Sequence, residues 1–208
     1  MTETGVVTRP REQRRQRTEQ LIREAALRLI SERGRTGWSL REVARSVNYS
    51  PAAIYDYFPS KEELLRSLAR EGGRRLSDRL GAVPAGLPPR QRIVELGLAC
   101  IDFALTNPVA FELIFDEHGG GSRPLEGEVP EGPAYLLLVD AVEAGLAAKA
   151  LVAPPGQGRD SIAYGLWALV HGAAMLQLTR LAGRHANFTK VHRHSIETFL
   201  AGLSSPRA

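Results

Sequence analysis

The sequence predicts an all-α protein: a small N-terminal helix-turn-helix domain of three helices, followed by a larger helical domain. Three observations predict it. Apolar residues recur at helical spacing over most of the 208-residue chain, and no stretch alternates as a strand does. Hydroxyl residues that suit helix starts follow one another closely at Ser39, Ser50 and Ser60. The positive charge is confined to one part: residues 1–80 hold 17 Lys/Arg against 11 Asp/Glu, whereas residues 81–208 hold 10 against 12. Such asymmetry suggests a polyanion-binding segment joined to a module with another task.

Composition narrows the class. The apolar fraction, 43%, is ordinary for a globular protein. A single cysteine, Cys100, excludes an intramolecular disulfide and fits a reducing, cytoplasmic setting. The first residues are polar and arginine-rich, without the apolar core of a signal peptide. Residues 161–182, "SIAYGLWALVHGAAMLQLTRLA", have the length of a membrane span. His171 and Gln177 interrupt it and no second span accompanies it, so a core helix or a subunit interface is the better reading.

The elements follow in order. Residues 1–10 read as disordered. A helix over 11–33 carries Leu21, Ile22, Ala25, Ala26, Leu29 and Ile30 as an apolar stripe, and Gly34 and Gly37 end it. Ser39 with Glu42 forms a capping box for a helix over 40–46, whose Val43, Ala44 and Val47 point inward. Asn48 suits the left-handed turn that follows. Ser50 caps a third helix with Pro51 in its first position. It ends near Tyr57, ahead of Pro59. Ser60, with Glu63 three residues on, opens a helix over 60–80 that links the domains.

The segment "VPAGLPPR", residues 83–90, reads as a hinge-like break. Helices are predicted over 93–105, 108–115, 134–151, 160–182 and 188–203. Between two of them, "EHGGGSRPLEGEVPEGP" (117–133) reads as a mobile loop.

A short helix, a turn and a second short helix make a helix-turn-helix, whose second helix enters the major groove. "SLREVARSVNYSPAAIYDYFPSKEELL" (39–65) resembles the DNA-binding signature of the tetracycline-repressor (TetR) family, with Ile54-Tyr55, Tyr57-Phe58 and Lys61-Glu62-Glu63-Leu64 in register. Asn48 stands where the family usually has Gly. Residues 11–58 are read as the DNA-binding domain and 81–203 as an effector-binding and dimerisation domain. Ser39, Leu40, Arg41, Ser50, Pro51, Ala52, Ala53, Tyr55, Asp56, Tyr57 and Lys61 are the candidate DNA contacts. Tyr55 and Lys61 suit phosphates. Arg41, Pro51, Ala52 and Ala53 suit base edges, and Phe58 the core. Asp56 repels phosphate but can accept from a cytosine amino group. Arginines 9, 11, 14, 15 and 17 suit a basic arm on DNA.

Farther on, "NPVAFELIF" and "YGLWALVHGAAML" resemble the subgroup with a Trp-x-x-x-His-Gly signature, here Trp167, His171 and Gly172. An apolar cavity with a few polar groups is how small-molecule sites are made. Phe103, Phe111, Phe115, Trp167, His171 and Met175 are its candidate lining. Gly165, Gly172 and alanines 163, 168, 173 and 174 allow close helix approach. With Phe188, Val191, Ile196, Phe199 and Leu200 of the last helix they suit a dimer interface.

The resemblance implies a homodimeric regulator, most simply a repressor. It would bind a palindromic operator in double-stranded DNA and be released by a small-molecule effector, with no cofactor, metal or membrane. Two rivals stand beside it: a helical enzyme using His171 or Cys100, and a ligand-independent DNA-binding protein. His192 and His194 lie two apart, on different helix faces, which disfavours a metal pair.

Overall fold

The computed structural model describes residues 10–116, 133–184 and 187–203. The readings of residues 1–9 as disordered and of 117–132 as a mobile loop lie outside them. Among the described residues the chain forms nine helices and no strand: α1 (Pro10–Arg33), α2 (Leu40–Ser46), α3 (Pro51–Tyr55), α4 (Lys61–Gly81), α5 (Pro89–Thr106), α6 (Pro108–Asp116), α7 (Pro133–Ala147), α8 (Arg159–Leu178) and α9 (Phe188–Ala201). The chain divides into two compact units, Met1–Arg70 and Glu71–Ala208. The division falls inside α4.

In the first unit, α2 packs against α1 and α3. Its core is Ile22, Ala25, Ala26, Ile30, Leu40, Val43, Ala44, Ile54, Phe58 and Leu64, with Trp38 closing it from the α1–α2 loop. Leu21, expected in the α1 stripe, is 46% exposed, and Thr18 one turn earlier is buried instead. A helix of five residues such as α3 cannot persist alone. Ile54 and Phe58 hold it by burial, each contributing about 1.5–3 kcal/mol on transfer.

In the second unit, α5 is the central helix, packed against α6, α7, α8 and α9. Its buried Ile93, Val94, Leu96, Cys100, Ile101 and Phe103 face neighbours on several sides. Gly97 permits the closest approach. A Cβ there would lie 2.7 Å from Ile196 Cδ1 and 3.1 Å from Val170 Cγ2.

Several ends differ from expectation, for local reasons. α3 stops at Tyr55, two residues early, in a tightened last turn where the Tyr57 N–H bonds the Ile54 carbonyl three residues back. α5 begins at Pro89, four residues early; a proline in the first turn has no N–H to leave unpaired. α7 ends at Ala147 instead of 151. Lys149 takes φ 55, and Leu151 folds back onto Gly145, donating to its carbonyl at 3.0 Å. α8 ends at Leu178 instead of 182. The Thr179 hydroxyl bonds the Met175 carbonyl at 2.6 Å, and Gly183 takes φ 77.

Candidate functional site

The helix-turn-helix is built by its caps. The Ser39 hydroxyl accepts from the Glu42 N–H at 3.4 Å and donates to the Glu42 carboxylate at 2.9 Å. Arg33 donates to the same carboxylate at 2.6 Å. These bonds, Ser39's first and Arg33's next, hold Glu42 below the usual carboxylate range. Asn48 makes the turn with φ 58, as its short polar side chain allows. The Ser50 hydroxyl then accepts from the Ala53 N–H at 3.1 Å, and Pro51 fills the first position of α3.

Anchored inward by Ile54, α3 leaves Pro51, Ala52, Tyr55 and Asp56 exposed. Small residues at its start let the backbone come close to whatever it meets. Arg41 is exposed on α2, and Ser50 lies exposed between the helices. Leu40 differs from them: its side chain is buried in the core. Position one of α2 faces inward because the capped turn delivers it there.

Aromatic and basic groups tie the unit together. The Arg15 guanidinium donates to the Asp56 carbonyl at 3.0 Å and lies 5.2 Å from the Tyr57 ring centroid. Tyr57 meets Tyr49 edge-on at 6.0 Å, and the Tyr49 hydroxyl bonds the Thr18 hydroxyl at 3.2 Å. Arg11, Arg14, Arg15 and Arg17 are therefore turns of α1 and not a free arm; Arg9 lies outside the described residues. Lys61 donates to the carbonyls of Trp38 at 2.8 Å and Thr36 at 3.2 Å, with its ammonium 4.4 Å from the Trp38 ring centroid. Sequence reasoning missed Trp38, Tyr49 and Thr18. Only Trp38 left a signal, as a large apolar residue just before a cap.

In the second unit, Phe111 and Phe115 of α6 meet Trp167 and His171 of α8. Phe115 stands 4.7 Å from Phe111, 4.5 Å from His171 and 5.8 Å from Trp167, centroid to centroid. Tyr135 of α7 joins at 5.6 Å from Trp167, and Tyr164 at 6.3 Å. Four of the six candidate lining residues thus come together. Phe103 and Met175 belong to the core around them. Tyr135 and Tyr164 were missed, although a tyrosine opening the aliphatic run "AYLLLV" is a polar handle in apolar company. His171 Nδ1 and the Tyr135 hydroxyl are buried without a hydrogen-bond partner. Burial pushes the His171 imidazole below its ordinary range and the Tyr135 phenol above its own.

An open groove of about 490 Å³ lies elsewhere in this unit, lined by Arg79, Leu98, Asp102, Leu105, His192 and Arg193 among others. Its charges are paired: Arg79 with Asp102 at 2.7 Å, Arg193 with Glu95 at 3.0 Å. His192 is bonded to Gln177 at 2.7 Å. Cys100 is buried in the core, and burial pushes its thiol up to about 12, which leaves no thiolate for nucleophilic work.

α8 is long and apolar enough to cross a membrane by length and composition. Its outward face is a stripe at four-residue spacing: Tyr164 (52% exposed), Ala168, Gly172 and Leu176 (53%). Val191 of α9 is equally exposed at 53%. Gly165 departs from expectation. A Cβ there would lie 2.9 Å from Phe199 of the same chain, so Gly165 and Phe199 serve internal α8–α9 packing.

Residues 22–68 match the family model of bacterial regulatory proteins of the tetR family, and residues 93–199 match the tetracyclin repressor-like C-terminal domain. The HTH-type transcriptional regulator BetI of Rhizobium meliloti (strain 1021) is 38% identical over 74 residues, covering 35% of this chain and 36% of that protein, about a third of its length. The uncharacterized HTH-type transcriptional regulator YobS of Bacillus subtilis (strain 168) is 24% identical over 187 residues, 89% of this chain and 92% of that protein. A solved structure of a protein of unknown function from Rhodococcus sp. RHA1 superposes with a TM-score of 0.73 at 27% identity, covering 90% of this chain and 95% of that one. Two matched domains over an all-helical chain with a capped helix-turn-helix lead to one conclusion: the chain belongs to the TetR family and is a DNA-binding transcriptional regulator.

Proposed function

We propose that this regulator is a cytoplasmic homodimer, that it represses by binding a palindromic operator, and that a small-molecule effector releases it. The observation that carries the reading is the exposed face of α3, small at Pro51 and Ala52 and flanked by Arg41 and Tyr55. Such a helix can lie in a major groove while tyrosine hydroxyls and cations meet phosphates. On this reading Arg41, Pro51, Ala52 and Ala53 face base edges, with Asp56 and Tyr57 at the margin. Ser39, Ser50, Tyr55 and Lys61 position the unit on the backbone. Two carbonyls hold the Lys61 ammonium at the start of α4 and leave it a third donor for a phosphate.

The exposed stripe of α8 with Val191 of α9 supports a two-fold contact, since an unpartnered apolar face of this kind usually marks an interface. Release would act through α4. A Cβ on Gly72 would lie 3.3 Å from the Ala110 carbonyl and from Ile114, so α6 packs tightly on α4 there. Arg75 bonds Asn107 at 2.5 Å and Arg79 bonds Asp102, tying the same helix to α5 and its end. The other face of α6 carries Phe111 and Phe115. A ligand that moves α6 therefore bears on α4, which begins at Lys61. Emptying the operator from a mostly bound population needs about 5.5 kcal/mol of differential affinity.

Selection of bound duplexes from a random pool, repeated with small-molecule extracts, tests the reading. Enrichment of an inverted repeat that an extract abolishes is the result in favour. No enrichment, or enrichment that no extract alters, counts against it.

A further inference from the structure

We infer that the ring cluster of α6, α7 and α8 takes a neutral, ring-bearing ligand with hydroxyl, carbonyl or amide groups, received by His171 and Tyr135; the inference rests on the ligand-responsive reading above. Five aromatic side chains and an imidazole form a connected network here, each 4.5–6.3 Å from at least one other, inside the range where rings stack or meet edge-on. Among them are two buried polar atoms without partners, His171 Nδ1 and the Tyr135 hydroxyl. A buried polar atom left unpaired is costly, and such exceptions in a folded protein call for an explanation. A ligand that bonds both atoms supplies one.

The chemistry of the two groups selects its class. A neutral imidazole nitrogen and a phenol can each donate or accept, according to tautomer and rotor, so hydroxyl, carbonyl and amide groups all complement them. Trp167 is in ring contact with both, at 5.6 Å from Tyr135 and 6.2 Å from His171. A ligand that reaches both poles therefore passes an indole face, which favours a planar ring over a flexible chain. Charge is selected against. The charged side chains that bear on Tyr135 are Asp160 and Arg159, and Arg159 is already bonded to Asp160 at 2.9 Å and Glu143 at 3.3 Å. A buried carboxylate with no cation to pair it would be disfavoured. The imidazole, held neutral by burial, does not supply that cation.

Ligand-observed NMR on the full chain tests this with three fragment sets on the same one- and two-ring skeletons: neutral phenols, ketones and amides; the matching carboxylates; and the bare hydrocarbons. The neutral polar set should supply the hits, and the His171 ring nitrogens should shift on binding. Tyr135→Phe and His171→Phe should each weaken the best fragment about tenfold, the loss of one good hydrogen bond. Without ligand, both variants should melt at or above the parent's temperature, because each loses an unpaired polar atom. A packing role alone would lower the melting temperature instead. Carboxylates or hydrocarbons binding as tightly as the neutral set, or no binding by any set, would overturn the inference. So would an unshifted His171 signal. If an extract releases the operator equally from the parent and from the double variant Tyr135→Phe/His171→Phe, the ligand-responsive reading stands and this site falls. If fragments bind as described but none releases DNA, the site's chemistry stands and the ligand-responsive reading falls.

Discussion

The Arg15 guanidinium of α1 donates to the main-chain carbonyl of Asp56, the residue that caps the C-terminal end of α3, at 3.0 Å. The carbonyls of a helix end lack intrahelical partners and carry partial negative charge, so a cation is well placed there. With α3 only five residues long, this bond and the Arg15–Tyr57 stack fix the direction of the helix proposed to carry the DNA contacts. Arg15→Ala should therefore weaken operator binding several-fold, while the slope of log affinity against log salt stays unchanged. A slope flattened by about 0.9 would make Arg15 a phosphate contact instead.

On the proposed reading Lys61 combines two duties that one substitution separates. Lys61→Ala should flatten the salt slope by about one unit if it contacts a phosphate as proposed. The same change removes the ammonium from over the Trp38 ring and should shift the emission of that buried indole. A shift in emission with an unchanged slope would reduce Lys61 to a clamp on the α1–α2 loop.

The stripe on α8 is the place to break the proposed dimer. Leu176→Arg should yield monomers that keep their helical content and lose operator affinity, because Leu176 is 53% exposed and packs little within its own chain. Phe199→Arg is a poorer choice. It would push a charge against Gly165 and damage the α8–α9 contact itself. Sedimentation velocity distinguishes the two outcomes, and a Leu176→Arg protein that still sediments as a dimer would move the interface elsewhere.

Much of the fold was legible because its signals are local. Ser39, Asn48 and Ser50 each act within three or four residues of themselves, and each stands where its cap or turn requires. Leu21 was misplaced because a helical stripe gives spacing but not the angle at which the helix meets its neighbours, and the burial of Leu40, expected among the DNA contacts, depends on the same angle. Gly165 looked like a contact for another subunit because only the tertiary arrangement brings Phe199 over it. Tyr135 could not be grouped with His171, since each meets Trp167 only through the way α7 and α8 pack.

Acid and alkali should each weaken the fold for a separate reason. Burial holds His171 and His192 below their ordinary 6.5, so as pH falls through 6.5 the unfolded chain takes up protons before the folded one. Stability is then full above about pH 6.5 and declines below it. Burial raises the Cys100 thiol from 9.0 to about 12, so above pH 9 the unfolded chain loses its proton first and stability declines toward pH 12. Denaturant midpoints across pH should show both limbs. Cys100→Ala should flatten the alkaline one and His171→Phe part of the acidic one; limbs unchanged by both would refute the assignment.

On the dimeric reading proposed above, two recognition helices, one from each chain, read one duplex. Sedimentation equilibrium of the full chain on a duplex bearing the selected inverted repeat counts the chains bound. Two chains should bind per duplex. Inserting five base pairs between the half-sites should abolish that binding, because it turns the second groove to the opposite side of the helix from where a dimer with a spacing of about 34–36 Å can reach it. One chain per duplex, or binding indifferent to the insertion, would contradict the claim.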